Sequence, residues 1–231
     1  MKERIYTIPL TDAVNKKCGC ILCVLEENME NDAVGYFLGP SLMEPEGRTV
    51  TNEKGFCRRH MNMLLKSGNR LGMALTLETH TGFIAKKLSE IKKKGLFFSK
   101  MDSERIFSFA DAVCSSCALC DKLNAQIEAA AQNLVFLIDS ESDFKDKFDE
   151  AEGLCLPHMS IVLSEAEKEL RGKKLWDFSE YICKKQQSEM IKLRDELHEF
   201  AVSFDYRHNG EAVRKEAVES VPKAVKKLNK Y

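Results

Sequence analysis

Cys117-Ala118-Leu119-Cys120 and Gly153-Leu154-Cys155-Leu156-Pro157-His158 decide how this chain is read, because the same pair of motifs has already occurred once. The earlier pair is Cys20-Ile21-Leu22-Cys23 and Gly55-Phe56-Cys57-Arg58-Arg59-His60. Cys20 to Cys117 and Cys23 to Cys120 are 97 positions apart; Gly55 to Gly153, Cys57 to Cys155 and His60 to His158 are 98 apart. Each half thus holds Cys-x2-Cys, a gap of about 33 residues and Cys-x2-His, three thiols and one imidazole, the donor set of a closed tetrahedral zinc site. The expected metal ligands are Cys20, Cys23, Cys57, His60, Cys117, Cys120, Cys155 and His158, with two zinc ions per chain. Spacing leaves open whether a site is built within one repeat or across the two. Within a repeat, residues 41 to 54 are expected to form a loop that brings Cys57 back to Cys20 and Cys23, its reach of about 50 Å for some 15 extended residues exceeding the roughly 27 Å of the helix before it.

Iron–sulfur is the competing cofactor. Cys114-x2-Cys117-x2-Cys120 has cluster-type spacing, and Cys18 adds a third cysteine near the first knuckle. Cys18 precedes Cys20 by two positions, however, whereas Cys114 precedes Cys117 by three. The extra cysteines break the repeat while the histidines keep it, which favours zinc. Four protein ligands leave no position for water, so the expected sites are structural.

Around these motifs the periodicity is helical. Leu22, Leu25, Met29, Ala33, Tyr36 and Phe37 recur at three- and four-residue steps over 21–38, and Leu123, Ile127, Leu134, Leu137 and Ile138 do so over 121–138. Pro9 and Thr11-Asp12 suggest an earlier helix start. Short helices are expected over 61–66 and 159–169, and long ones over 70–94, with Leu71, Leu75, Ile84, Leu88 and Ile91 inward, and over 175–204, with Cys183 in the core. A last helix, bent or interrupted at Pro222, covers 211–230. Residues 41–54 and 139–152 read as loops, and 96–104 as the join between repeats. The fold class is all-α: an internally duplicated metal-binding repeat of knuckle, helix, loop, short helix and long helix, with an extra C-terminal helix. Residues 1–100 form the first repeat and 101–231 the second, the two sharing one core.

Composition narrows the function. Thirty-five basic against 36 acidic residues give a net charge of −1, so no global field holds a polyanion and nucleic acid is disfavoured as a partner. The N-terminal stretch lacks the apolar core of a signal peptide and no run reaches a membrane span, so the chain is read as cytoplasmic. His80, His198 and His208 stand singly, in solvent-facing or capping roles, and there is no HExxH, P-loop or GxGxxG. The lysines of 92–94 and 223–230 read as helix C-terminal charges favoured by the dipole.

The duplicated CxxC and G[FL]CxxH motifs, with Phe204-Asp205-Tyr206-Arg207 and a final helix around Val221-Pro222-Lys223-Ala224-Val225, resemble an uncharacterised bacterial family, a domain of unknown function found mainly in anaerobic Gram-positive bacteria. The resemblance covers nearly the whole chain and implies no activity. The expected function is that of a zinc-stapled, non-enzymatic helical protein acting through an unknown protein partner or self-association. An iron–sulfur or thiol redox protein is the alternative, and an enzyme using Tyr206, Arg207 and a nearby acid a third reading.

Overall fold

A computed structural model of the chain describes residues 7–15, 19–92, 100–204 and 214–229. The described residues form eleven α-helices and no strand. They are α1 (Thr7–Asn15), α2 (Ile21–Phe37), α3 (Pro45–Lys54), α4 (Arg58–Lys66), α5 (Arg70–Lys92), α6 (Lys100–Ser115), α7 (Ala118–Ser140), α8 (Ser142–Glu150), α9 (Leu156–Glu169), α10 (Gly172–Val202) and α11 (Lys215–Leu228), with a 3-10 turn at Pro40–Met43. No helix among the described residues is long and apolar enough to cross a membrane.

The chain divides into two compact units that do not follow the sequence repeats. One comprises Met1–Glu27 and Gln126–Tyr231; the other is Asn28–Ala125. The unit boundaries fall inside α2 and α7. In the first unit α11 packs on α10 and α9, α10 on α9, and α1 on α8; in the second, α5 packs on α3, α4 and α6. The expected stripes of α2 and α7 are buried apart from half-exposed Tyr36, with Leu22, Ile127 and Leu134 at 0–1% exposure.

Both segments expected to be loops contain helices. Pro45 sits in the first turn of α3, where a missing N–H costs nothing, and Gly55 closes it. The sequence of α3 is polar almost throughout, which hid its period. In α8 only Phe144 and Phe148, four residues apart, are apolar, and both are buried. The C-terminal part of the expected join at 96–104 is helical, since α6 begins at Lys100.

The face of α5 differs from the expected one. Leu71, Leu75 and Leu88 are exposed, and the buried side is Met73, Thr76 and His80; the Ile91 side chain lies outside the described residues. Polar groups can occupy that side because each is satisfied locally. Thr76 Oγ1 donates to the Gly72 carbonyl at 2.9 Å, and His80 Nδ1 donates to the Asn52 carbonyl of α3 at 2.8 Å, so His80 is a buried bridge rather than a solvent-facing residue. His198 is exposed, as expected. Cys183 is not a core residue: it points outward from α10, whose buried stripe is Phe178, Ile182, Gln186 and Leu193. The last helix runs through Pro222 without interruption, from Lys215 to Leu228. Cys18, His208 and Asp205-Tyr206-Arg207 lie outside the described residues.

Candidate metal centres

The eight expected donors meet in two groups of four. Site I joins Cys20 and Cys23 to Cys155 and His158; site II joins Cys117 and Cys120 to Cys57 and His60. Each Cys-x2-Cys therefore combines with the Cys-x2-His of the other repeat. The expected within-repeat return does not occur, and the segment expected to make it is not a loop. At ~1.5 Å per residue α2 carries the chain about 21 Å from Cys23 to Phe37. The way back is not extended: the ten residues of α3 rise only about 15 Å and the four of the 3-10 turn about 8 Å. Folded into helices, 40–54 lacks the reach it would have as a loop.

The knuckles are built at helix starts. In site I the Cys20 carbonyl accepts hydrogen bonds from the Cys23 and Val24 amides at 3.0 and 3.3 Å, which begins α2 and turns both sulfurs to one side. In site II the Cys120 amide lies 3.4 Å from Cys117 Sγ, and the Asp121 amide donates to the Cys117 carbonyl at 3.1 Å. Cys57 and Cys155 are the N-cap residues of α4 and α9, which places His60 and His158 on the first turn. All four helix N-termini contribute positive partial charge that favours thiolate.

Glycine makes the second motif possible. Gly55 has φ +58° and Gly153 φ +76°, values that turn the chain sharply before the ligating cysteine. A Cβ on Gly55 would lie 2.6 Å from His80 Nε2, and one on Gly153 3.3 Å from Gln186 Oε1. The freed backbone is used at once. The Gly55 carbonyl accepts the Ala118 amide at 3.0 Å, tying one half of site II to the other, and the Leu154 amide donates to Gln186 Oε1 at 3.3 Å.

Site I has His158 Nδ1 at 3.4, 3.4 and 3.2 Å from the sulfurs of Cys20, Cys23 and Cys155, with Cys23 and Cys155 sulfurs 3.6 Å apart. Site II has His60 Nδ1 at 3.3, 3.2 and 3.3 Å from Cys57, Cys117 and Cys120, with Cys57 and Cys120 sulfurs 3.9 Å apart. A tetrahedral ion with metal–sulfur bonds of about 2.3 Å and metal–nitrogen bonds of about 2.0–2.1 Å has sulfur–sulfur edges of about 3.8 Å and sulfur–nitrogen edges of about 3.6 Å. The two groups are of that size. All donor atoms of a group lie within 4.8 Å of one another, the span of a single ion's shell.

The charges tell the same story. Burial opposes ionisation of Cys117, yet His60 and nearby backbone amides bring its thiol down to about 6, while burial, Cys117 and Cys57 push Cys120 up. In site I burial is likewise outweighed at Cys20, held well below its ordinary value by Cys155, Cys23 and His158. Cys23 is pushed up by Cys155 and Cys20. His158 rises to about 11 despite its burial, through Cys155, Cys20 and Glu26. Three sulfurs this close cannot all be thiolates on their own; a cation among them lets every donor take its ligating form.

Two carboxylates that sequence reasoning missed stand behind the histidines. His60 Nε2 donates to buried Glu30 Oε1 at 2.8 Å, which fixes the tautomer that leaves the Nδ1 lone pair facing the sulfurs. Arg59 pairs with the other oxygen of Glu30 at 2.7 Å. Glu26 Oε2 stands 3.3 Å from His158 Nε2, an ion-pair distance without the alignment of a straight hydrogen bond. Glu26 follows Cys23 by three residues on α2, a spacing that could have flagged it; Glu30 carries no such signal. Of the two extra cysteines, Cys114 is exposed and outside both groups, while Cys18 lies outside the described residues.

One protein family matches this chain along its full length, residues 1–231, with the description "Family of unknown function (DUF6062)". The chain belongs to this family. The duplicated cysteine and histidine motifs of this chain are the residues of the two groups just described. No curated protein and no solved structure matches the chain.

Proposed function

We propose that this member of the family is a zinc-stapled helical protein, with one structural zinc ion in each site, and that it acts by binding another macromolecule or by self-association. The observation that carries the metal is the pair of tetrahedra, each of three sulfurs and one imidazole nitrogen at the edge lengths of a single zinc ion. The donor set also favours a single ion over an iron–sulfur cluster, because a cluster spreads its ligands over several irons and would enlist cysteines such as Cys114, which lies outside. Four protein ligands complete each shell and leave no place for substrate, which supports a structural use. The partner reading draws on large apolar side chains held singly in solvent, Trp176 at 71%, Phe107 at 70% and Leu71 at 71% exposure.

The test is metal analysis of anaerobically purified protein together with its visible spectrum. Two zinc ions per chain and a colourless solution are expected, and cobalt replacement should give the intense visible bands of a tetrahedral thiolate site. Brown protein with stoichiometric iron and acid-labile sulfide would overturn the reading in favour of clusters.

A further inference from the structure

Among the described residues Lys227 is the one buried lysine, at 4% exposure. An ammonium group so far from water costs several kcal/mol unless it is hydrogen-bonded or paired, so its surroundings need an account. From the last turn of α11, Lys227 Nζ donates to the Glu152 carbonyl and, at 3.5 Å, to the Leu154 carbonyl. It thereby grips both sides of Gly153, the turn that delivers Cys155 and His158 to site I. Lys223, one turn earlier, reinforces the grip through Glu152 at 3.3 Å and Glu196 at 3.5 Å. The rest of that face of α11 is Ala217, Ser220 and Ala224, small residues that let the helix lie close to its neighbours.

The placement has an electrostatic logic too. A doubly charged ion with three thiolates and a neutral imidazole carries one net negative charge; burial holds the Lys227 ammonium below its ordinary pKa, and negative charge at Cys20, Glu152 and Glu189 opposes that loss. We infer that Lys227 is a positioning residue of site I and that ion binding there and docking of the C-terminal helix are linked. The filled site holds the Glu152–Leu154 turn in the form whose carbonyls seat the ammonium. Loss of the ion loosens that turn and frees α11, and by reciprocity loss of the seated lysine weakens the ion. This inference rests on the metal reading of site I.

The test uses the full chain. Lys227→Met keeps the apolar stem but removes the charge and the donors, and site II in the same molecule reports whether the unit Asn28–Ala125 is folded. Zinc release to a chromophoric chelator is assigned to each site with Cys155→Ser and Cys117→Ser variants. Lys227→Met should release zinc from site I about tenfold faster or more, the scale of a lost outer-shell partner, with site II unchanged. Hydrogen exchange of the amides of 215–228 should rise about tenfold in Cys155→Ser and stay unchanged in Cys117→Ser. Unaltered release from site I in Lys227→Met, or exchange in α11 that ignores Cys155→Ser or responds equally to Cys117→Ser, overturns the inference. Wild-type protein without metal would remove the metal reading itself, whereas two bound ions with Lys227→Met behaving as wild type would remove this inference alone.

Discussion

Replacing Cys155 by serine tests most directly whether the ion in site I holds the fold. Cys155 is 1% exposed and its sulfur lies 3.2 Å from His158 Nδ1 and 3.6 Å from Cys23 Sγ. Structural zinc binds with about 10–16 kcal/mol of apparent free energy, so one donor of four corresponds to about 3–4 kcal/mol, or a site roughly 10²–10³-fold weaker. The buried hydroxyl that remains adds about 1–3 kcal/mol where it lacks a partner. For a chain of this size each kcal/mol moves the melting temperature by about 2–4 °C, so the first unit should melt about 10 °C earlier or more. Cys183→Ser is the control. Its sulfur faces solvent on α10, and an exposed substitution falls within about 0.5 kcal/mol of neutral. Calorimetry of both variants at equal zinc decides the matter. Equal melting temperatures, or zinc in site I retained at full affinity by Cys155→Ser, would refute the reasoning.

Gly55→Ala forces a side chain onto a backbone at φ +58° and a Cβ to within 2.6 Å of the His80 ring, and should cost about 2–3 kcal/mol, against about 1 kcal/mol for Gly68→Ala, where φ is +84° but space is open; denaturant melts compare the two. Glu30→Gln should weaken zinc in site II about 10–100-fold and leave site I alone, measured by competition with a chelator of known affinity. Site II should lose zinc first to a chelator, because two of its donors, Cys57 and Cys120, are half-buried against one, Cys23, in site I; the order of loss in Cys117→Ser and Cys155→Ser protein checks it. Burial opposes ionisation of Glu189, but Lys192 and Lys185 hold its carboxyl below the ordinary value. Its stabilising share is therefore present above the ordinary carboxyl range and fades as pH falls through the lowered folded value, so Glu189→Gln should flatten the acid limb of a stability–pH curve.

The sequence was most legible where one physical signal acted alone. Leu22, Leu25 and Met29, or Ile127 and Leu134, bury a helix face whatever surrounds them, so α2 and α7 were found with their inward sides. Duplication picked out eight donors from nine cysteines and five histidines. Elsewhere the signal was cancelled. In α3 the covered side carries Thr51, and its partner α5 answers with Thr76 and His80, so hydrogen bonds replace the apolar stripe that a periodicity search needs. Leu71, Leu75 and Leu88 offered a better stripe and lie in solvent. Lys227 read as a helix-end charge because four lysines crowd the last turns, and nothing in the spacing shows that two of them face inward.

Which half-site meets which was the least legible feature, and it matters most for stability. Both pairings use the same eight donors and the same local turns, so motif spacing is blind to the difference. Within a repeat each ion would close a loop of about 35 residues. As built, site I ties residues 132 to 138 positions apart, and site II residues 57 to 63 positions apart. Loop-closure entropy grows as about 1.5RT times the logarithm of loop length, so the crossed arrangement lets the ion in site I remove about 1 kcal/mol more disorder from the unfolded chain than a local site would, and the ion in site II about half as much. The larger effect is on connectivity. Neither repeat holds a complete site, since Cys20 and Cys23 need Cys155 and His158 while Cys57 and His60 need Cys117 and Cys120. An ion in either site would close its shell only after chain from both repeats has come together, so metal capture would be a long-range step and each ion a tie between the repeats.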